Sequence, residues 1–325
     1  MDADFVLDRR RLRRRASFWR FVAFVLLALG LVGLIHATTG LGIDPTGLRN
    51  QVARIDVDGF IDTRPSAVEL IQNATEAGNV RAILLRINSP GGAATGGEAL
   101  YRAIREATEA KPVVAVIDGL GTSAAYMAAI AADHIVARES TITGSIGVLF
   151  QFAHFEELLE KIGADYTEIR SRPLKGEPSL FRAPSPEAVA MLEGVVSDTH
   201  QWFVGLVAER RGYQLAEARA IGDGRIFTGR QALEANLVDA LGSEEEARAW
   251  LAEEHGISTD LPAVNWRRRD LPLGGFASSA FAALARLLGL APVELEALGG
   301  MLPKRLTVDG LMSVWHPTLS VQPDR

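Results

Sequence analysis

Residues 113–132 read VVAVIDGLGTSAAYMAAIAA: an apolar run, a turn holding two glycines, then a string of small residues. Val113–Ile117 has the composition of a buried strand, and the alanines after Ser123 favour a helix that packs closely. A strand that enters a glycine turn and leaves as a helix is the elementary step of an α/β domain. The same step recurs on either side. Strands are expected at 52–61, 81–87, 135–138 and 143–150, and helices at 66–77, 97–110, 122–132 and 154–162. A loop with three prolines follows at 172–184, and long helices then run to about residue 251. The alternation predicts an α/β domain with largely parallel pairing, and no repeat of solenoid period is visible.

Composition narrows the chemistry. The 325 residues contain no cysteine, which excludes disulfides, thiolate metal sites and a cysteine nucleophile. The six histidines show neither HExxH nor close pairing, so no metal site is expected. The phosphate-binding patterns GxGxxG and GxxxxGK[ST] are both absent, so no nucleotide cofactor is expected.

Charge divides the chain in two. Residues 1–36 hold seven Arg and three Asp, a balance of +4 against −6 for the whole, so the remainder carries −10. The cluster Arg9-Arg10-Arg11-Leu12-Arg13-Arg14-Arg15 precedes an apolar run from Phe21 to Ile35. An acidic body without a recognition motif argues against nucleic acid as partner. Basic residues beside an apolar stretch set orientation, leaving the N-terminus cytoplasmic and the body outside the inner membrane. A cleaved signal peptide is the rival reading, but Ile35-His36-Ala37 is too bulky for a small-residue cleavage site. The expected organisation is a basic N-terminus at 1–17, a transmembrane signal anchor at 18–39 and a linker at 40–50. A catalytic domain at 51–258 and a tail at 259–325 complete it.

Two glycine turns can carry chemistry. Asn88-Ser89-Pro90-Gly91-Gly92 ends a buried strand, and its uncovered amides could cradle an oxyanion or simply turn the chain. In Gly121-Thr122-Ser123-Ala124 the serine stands at a helix start with the Ala124 amide beside it, as a nucleophile requires. The plainer alternative is that Thr122 or Ser123 caps the helix. The pattern GxSxG is not met, because position 125 is Ala. His134 lies at the far end of the same expected helix, too far to act as base. Lysine can act as base when neutral, which arginine cannot. Of 34 basic residues only Lys111, Lys161, Lys175 and Lys304 are lysines. Lys175, in the Pro/Gly-rich Arg172-Pro173-Leu174-Lys175-Gly176, is the one without a bland explanation.

The segments INSPGG at 87–92, GTSAAYMAA at 121–129, TGSIGV at 143–148 and GRIFTGRQALEANLVDALG at 224–242 together resemble the signal peptide peptidase A family. The resemblance covers about residues 50–255. It implies a membrane-anchored serine endopeptidase on the Clp protease/crotonase-like fold of repeated strand-strand-helix units, preceded by one transmembrane helix. It implies Ser123 as nucleophile, Lys175 as general base and Ser145 as the hydroxyl that orients the lysine. The oxyanion amides would come from Gly91, Gly92 and Ala124. The implied substrates are hydrophobic peptides such as cleaved signal peptides, and the implied assembly is a homo-oligomeric ring in which Ser and Lys can come from neighbours.

One departure stands out. The family commonly writes Ser-Gly-Gly-Tyr where this chain has Ser123-Ala124-Ala125-Tyr126, and two added methyl groups could narrow the cleft. That keeps a non-catalytic membrane scaffold among the readings. A crotonase-like acyl-CoA enzyme is a further rival, though it would have little use for an anchor. For the tail, the expectations are a helix packed on the domain or a neighbour, or an amphipathic segment on the membrane.

Overall fold

The computed structural model describes residues 18–20, 22, 24, 49–267 and 312–314. The expected anchor at 18–39 falls mostly outside the described residues, of which 18–20, 22 and 24 are helical. Among the described residues no helix is long and apolar enough to cross a membrane. Two units divide the chain, one of residues 1–49 and 269–295, the other of 50–268 and 296–325. The second holds the α/β body.

That body begins with strand β1 (Gln51–Ile61), helix α1 (Ser66–Glu76), β2 (Val80–Ala93), α2 (Ala94–Ala110), β3 (Val113–Thr122) and α3 (Ala124–Ala129). The short strands β4 (His134–Ala137) and β5 (Ile142–Gly144) precede α4 (Glu156–Ile162), α5 (Pro186–Arg211) and α6 (Leu215–Ile221). Then come β6 (Ile226–Thr228), α7 (Gly229–Glu234), β7 (Ala240–Leu241), α8 (Glu244–His255), β8 (Ala263–Trp266) and β9 (Met312–Val314). The sheet runs β6-β5-β3-β2-β1-β8, with β4 on β3 and β9 on β2. Pairing is parallel except for β5 with β6 and β2 with β9, so the sheet is mixed.

The central strands are apolar throughout because both faces are covered. In β2, Ile83, Leu85 and Ile87 join α1, α2 and α3 in the main core. Leu84 points the other way, with Val114, Val116 and Val136, onto Ala247 and Leu251 of α8. Strand β3 forks. Val114–Ile117 pair with β4, whereas Leu120–Thr122 pair with β5. The fork frees the C-terminal end of β3 from its neighbour β4 and aims the chain at Ser123.

Several expected boundaries shift for physical reasons. Residues 88–92 are not a turn that ends a strand. β2 continues to Ala93, keeping Phe60 opposite Gly91 and Ile61 opposite Gly92. Gly91 takes φ 97°, a conformation open to glycine, just where the β1–β2 ladder shifts register between Asp58 and Phe60. The expected strand at 143–150 stops at Gly144, because Ser145 adopts φ 50°. The helix expected over 122–132 is confined to 124–129, since Thr122 belongs to β3. The long helices expected before residue 251 are interrupted by β6 and β7, too short to show an alternation. The sheet also extends beyond 258, as β8 pairs with Val52–Ile55 of β1.

Candidate active site

Ser123 occupies the position before α3 with φ 60° and ψ −120°. A serine N-cap would have extended backbone and a hydroxyl accepting from the helix amides. Ser123 has neither, and its side chain makes no capping bond. Thr122 does not cap either, for its Oγ1 is buried without a partner. The capping alternative therefore fails for both residues. A non-glycine residue at such angles costs about 1–3 kcal/mol and persists only where its surroundings enforce it. Here the Ser123 amide donates to the Gly144 carbonyl at 2.8 Å and its carbonyl accepts from the Met127 amide at 2.9 Å. Ser123→Gly should therefore raise thermal stability by about 1 kcal/mol while Ser123→Ala does not. Calorimetric unfolding of the two variants checks it, and equal stabilities would remove the strain.

The serine's surroundings come from the segments singled out in sequence. Its Oγ lies 3.5 Å from the Gly147 carbonyl, in the stretch following β5. The Ser145 amide donates to the Arg225 carbonyl at 2.8 Å, tying this stretch to residues 224–228 beside it. Tyr126 is fully buried and donates its hydroxyl to the Leu237 carbonyl at 2.8 Å, anchoring α3 on the segment 224–242. Burial raises the Tyr126 pKa far above the usual phenol range, so it stays a neutral donor.

β2 runs past the same place. Ser89 is the ladder partner of Gly121, two residues before Ser123. The Gly91 amide donates to Ser89 Oγ at 3.1 Å. The Ala124 amide opens α3, where the first amides of a helix have no intrahelical partner. Gly91, Gly92, Ala124, Ser123 and Ser145 thus gather around the ends of β2, β3 and β5.

Lys175 behaves differently. It is exposed while Ser123 is buried. It sits in a turn where its amide donates to the Arg172 carbonyl at 3.1 Å. Arg170 Nη1 laces that turn, reaching the Pro173 carbonyl at 2.7 Å, the Lys175 carbonyl at 3.4 Å and Glu177 Oε1 at 3.1 Å. Arg182 adds a 2.7 Å bond to the same buried carboxylate. Of the other lysines, Lys111 is structural. Its Nζ donates to the carbonyls of Ala74 at 2.8 Å and Ala77 at 2.5 Å, closing the end of α1. Lys161 is exposed on α4, and Lys304 lies outside the described residues.

The Ala124-Ala125 departure resolves in an unexpected way. Both side chains are fully buried and belong to the core. A Cβ built on Gly97 of α2 would come within 2.9 Å of the Ala124 methyl. The glycine makes the room that the alanine fills. Sequence reasoning missed Gly97 because nothing in the chain pairs it with residue 124.

A cleft of about 580 Å³ opens beside the serine, lined by Ile146, Gly147, Val148, Phe150, Leu192 and His200 among others. Gly147 lines the cleft and is also the residue whose carbonyl lies 3.5 Å from Ser123 Oγ, while Ser123 itself is buried and not part of the lining. The His200 ring Nε2 is 2.6 Å from the Gly222 carbonyl, which occupies it.

Several known proteins resemble this chain. Peptidase family S49 matches residues 105–258, and Clp protease matches residues 65–143. A relative from Synechocystis, named as a protease, is 38% identical over 217 residues, spanning 66% of this chain and 78% of its own length. A chloroplastic serine protease SPPA of Arabidopsis thaliana is 30% identical over 297 residues, with 82% of this chain and 42% of that protein covered. A solved mutant of the membrane-bound stomatin-specific protease 1510-N aligns at 15% identity with a TM-score of 0.42, over 68% of this chain and 95% of that one. With a Clp-like α/β body, a peptidase family S49 match and a protease relative covered over 78% of its length, this chain belongs to peptidase family S49 and is a serine peptidase of the signal peptide peptidase A type.

Proposed function

We propose that this chain is a membrane-anchored endopeptidase that hydrolyses apolar peptides through a Ser123/Lys175 dyad. The observation that carries the reading is the backbone of Ser123: φ 60° with no capping bond, at the end of β3 where the strand has forked free. Strain of this kind in a non-glycine residue is stored at working sites rather than at structural caps.

In the first half of the reaction, neutral Lys175 Nζ takes the Ser123 hydroxyl proton as Oγ attacks the scissile carbonyl. Backbone amides from the Gly91-Gly92 segment and Ala124 hold the oxyanion, and the Ser145 hydroxyl orients the lysine amine. The resulting ammonium gives its proton to the leaving amine. Water, deprotonated by the same lysine, then attacks the acyl ester and regenerates Ser123.

A lysine works as a base only where burial disfavours its charge, so the exposed Lys175 needs a cover. The chain around it supports a second copy as that cover. α4 has no buried residue, yet it carries Leu158 and Ile162. Phe155, Tyr166, Ile169, Leu174 and Phe181 near it are exposed as well. An apolar array of this size marks an interaction surface. We read it as the contact of a homo-oligomeric ring that completes the dyad.

The apolar lining of the cleft favours apolar side chains in the substrate, and cleaved signal peptides have that chemistry. The arginine cluster at 9–15 beside the apolar run supports a single-pass anchor in the bacterial inner membrane, with the catalytic domain outside the cytoplasm. The scaffold alternative loses its support, because the Ala124 and Ala125 methyls are in the core and not in the cleft.

The test is covalent labelling. A fluorophosphonate probe should modify the full chain in detergent at Ser123, as located by peptide mass mapping, and Ser123→Ala should abolish the adduct. Failure to label a folded oligomer would sink the reading.

A further inference from the structure

We propose that Glu177 is a positioning residue for Lys175, acting through Arg170 to fix the backbone from which the amine extends. This rests on the reading of Lys175 as the general base and adds the group that places it.

The lysine has to be placed from within its own loop. No helix or strand lies between α4, which ends at Ile162, and α5, which begins at Pro186. Among the described residues, none of 166–182 belongs to either apolar core. Ladder bonds and core packing fix Ser123 at the end of β3, but they do not reach this loop.

Cross-links between the two limbs of the loop do that work instead. At its base the rings of Tyr166 and Phe181 meet with centroids 4.2 Å apart. Toward the tip, Glu168 and Arg170 of one limb face Glu177 and Arg182 of the other. Glu177 Oε1 accepts from Arg170 Nη1 at 3.1 Å and from Arg182 Nη2 at 2.7 Å. Glu168 Oε2 lies 3.4 Å from Arg170 Nε and 3.7 Å from Arg182 Nη2. The same Arg170 Nη1 reaches the carbonyls of Pro173 at 2.7 Å and Lys175 at 3.4 Å. A single nitrogen therefore joins the carboxylate to the backbone of the lysine itself.

Stability does not account for the arrangement. The Glu177 side chain is only 3% exposed, yet its Oε2 has no hydrogen-bond partner, and neither has Arg182 Nη1. An ion pair taken out of water with atoms left unpaired stabilises little, and apolar side chains of similar volume would serve the fold as well. A carboxylate does one thing that they cannot: it orients a guanidinium, whose rigid fork then fixes the direction of its other donors. Arg170 held in this way pins the turn on both sides of Leu174. Misplacing a reacting group by about 1 Å can lower a rate by about 100-fold.

The test compares Glu177→Ala, Glu177→Gln and Arg170→Ala with the parent, all as full chains in detergent, by steady-state hydrolysis of an internally quenched apolar peptide. The two alanine variants are expected to lower kcat by about 100-fold with KM unchanged, because neither residue lines the cleft. Glu177→Gln is expected to recover most of that loss. Glutamine keeps the oxygen that both arginines use and alters only the one without a partner. Because the network lies outside both cores, unfolding midpoints should stay within about 2 °C of the parent, with sedimentation unchanged. Arg170→Ala keeps the test valid if Glu177→Ala fails to fold, since Arg182 still pairs with Glu177.

Parent-like kcat in both alanine variants would overturn the proposal. So would a loss of kcat matched by a lower midpoint or a changed association state, which would make the network structural only. A glutamine variant as impaired as the alanine one would overturn it too. The reading of Lys175 as base fails separately, through retained activity in Lys175→Ala. An inactive Lys175→Ala beside a fully active Glu177→Ala would remove only the positioning role.

Discussion

Lys175→Arg is expected to lower the rate of peptide hydrolysis by about 10⁴-fold while leaving the fold and oligomeric state unchanged. The substitution keeps the positive charge and nearly the length of the side chain, so a lysine needed only for charge or solvation would tolerate it. A base would not, because a guanidinium does not give up its proton in water and has no lone pair to accept one. Lys175→Ala should be as inactive as Lys175→Arg, and that equality separates a proton acceptor from a charge. The check is kcat/KM on an internally quenched apolar peptide, with circular dichroism and sedimentation to confirm structure. His200→Gln is the control. Its ring is engaged with the Gly222 carbonyl although it lines the cleft, so near-complete activity is expected. Retained activity in Lys175→Arg together with loss in His200→Gln would transfer the base role to the histidine.

The exposed position of Lys175 is a consequence of how its loop is built. Arg170 and Arg182 grip Glu177, whose side chain is only 3% exposed, and Arg170 also spans the backbone of the turn. These bonds hold the loop in shape from within and leave Lys175 exposed among the described residues. The apolar residues of α4 and the segment around it stand exposed nearby in sequence. Burying both at one interface would stabilise the assembly and desolvate the amine together. Catalysis and assembly would then be coupled by geometry.

Much of this was legible in the sequence. The order of the first three strand–helix steps follows from apolar runs, glycine turns and small residues, and the structure keeps it. Ser123 was legible as a residue between a strand and a helix, whereas Ser145 fell inside an expected strand and Gly91-Gly92 proved to lie within β2. Other features were not. β6 and β7 are two or three residues long and have no period to detect. The accommodation of Ala124 by Gly97 depends on two helices meeting, which neither segment encodes alone. The return of residues 312–314 to Gly91–Ala93 is a contact across most of the chain, and no local pattern announces it. That Ser123 is not a helix cap required a dihedral angle to see.

Gly92→Ala is expected to cost about 3 kcal/mol or more and to remove activity with it. A Cβ at position 92 would sit 2.0 Å from the Ile61 carbonyl oxygen, 2.6 Å from its nitrogen and 2.7 Å from its carbonyl carbon. All three atoms are backbone in the neighbouring strand, so no side-chain rotation relieves the clash and β2 must move off β1. The Gly91-Gly92 segment, proposed to hold the oxyanion, and the edge that pairs with β9 move with it. For a body of this size the midpoint of thermal unfolding should fall by roughly 10 °C. Gly194→Ala supplies the opposite sign. That glycine is exposed in the interior of α5 with nothing within 4 Å of a built Cβ. Alanine there should raise stability by about 0.5–1 kcal/mol through helix propensity and a less flexible unfolded chain. Two identical substitutions would thus move the midpoint in opposite directions, as scanning calorimetry would read. If Gly92→Ala unfolded within about 2 °C of the parent, β2 would not approach β1 as closely as the ladder requires. The oxyanion role of this segment would then lose its structural basis.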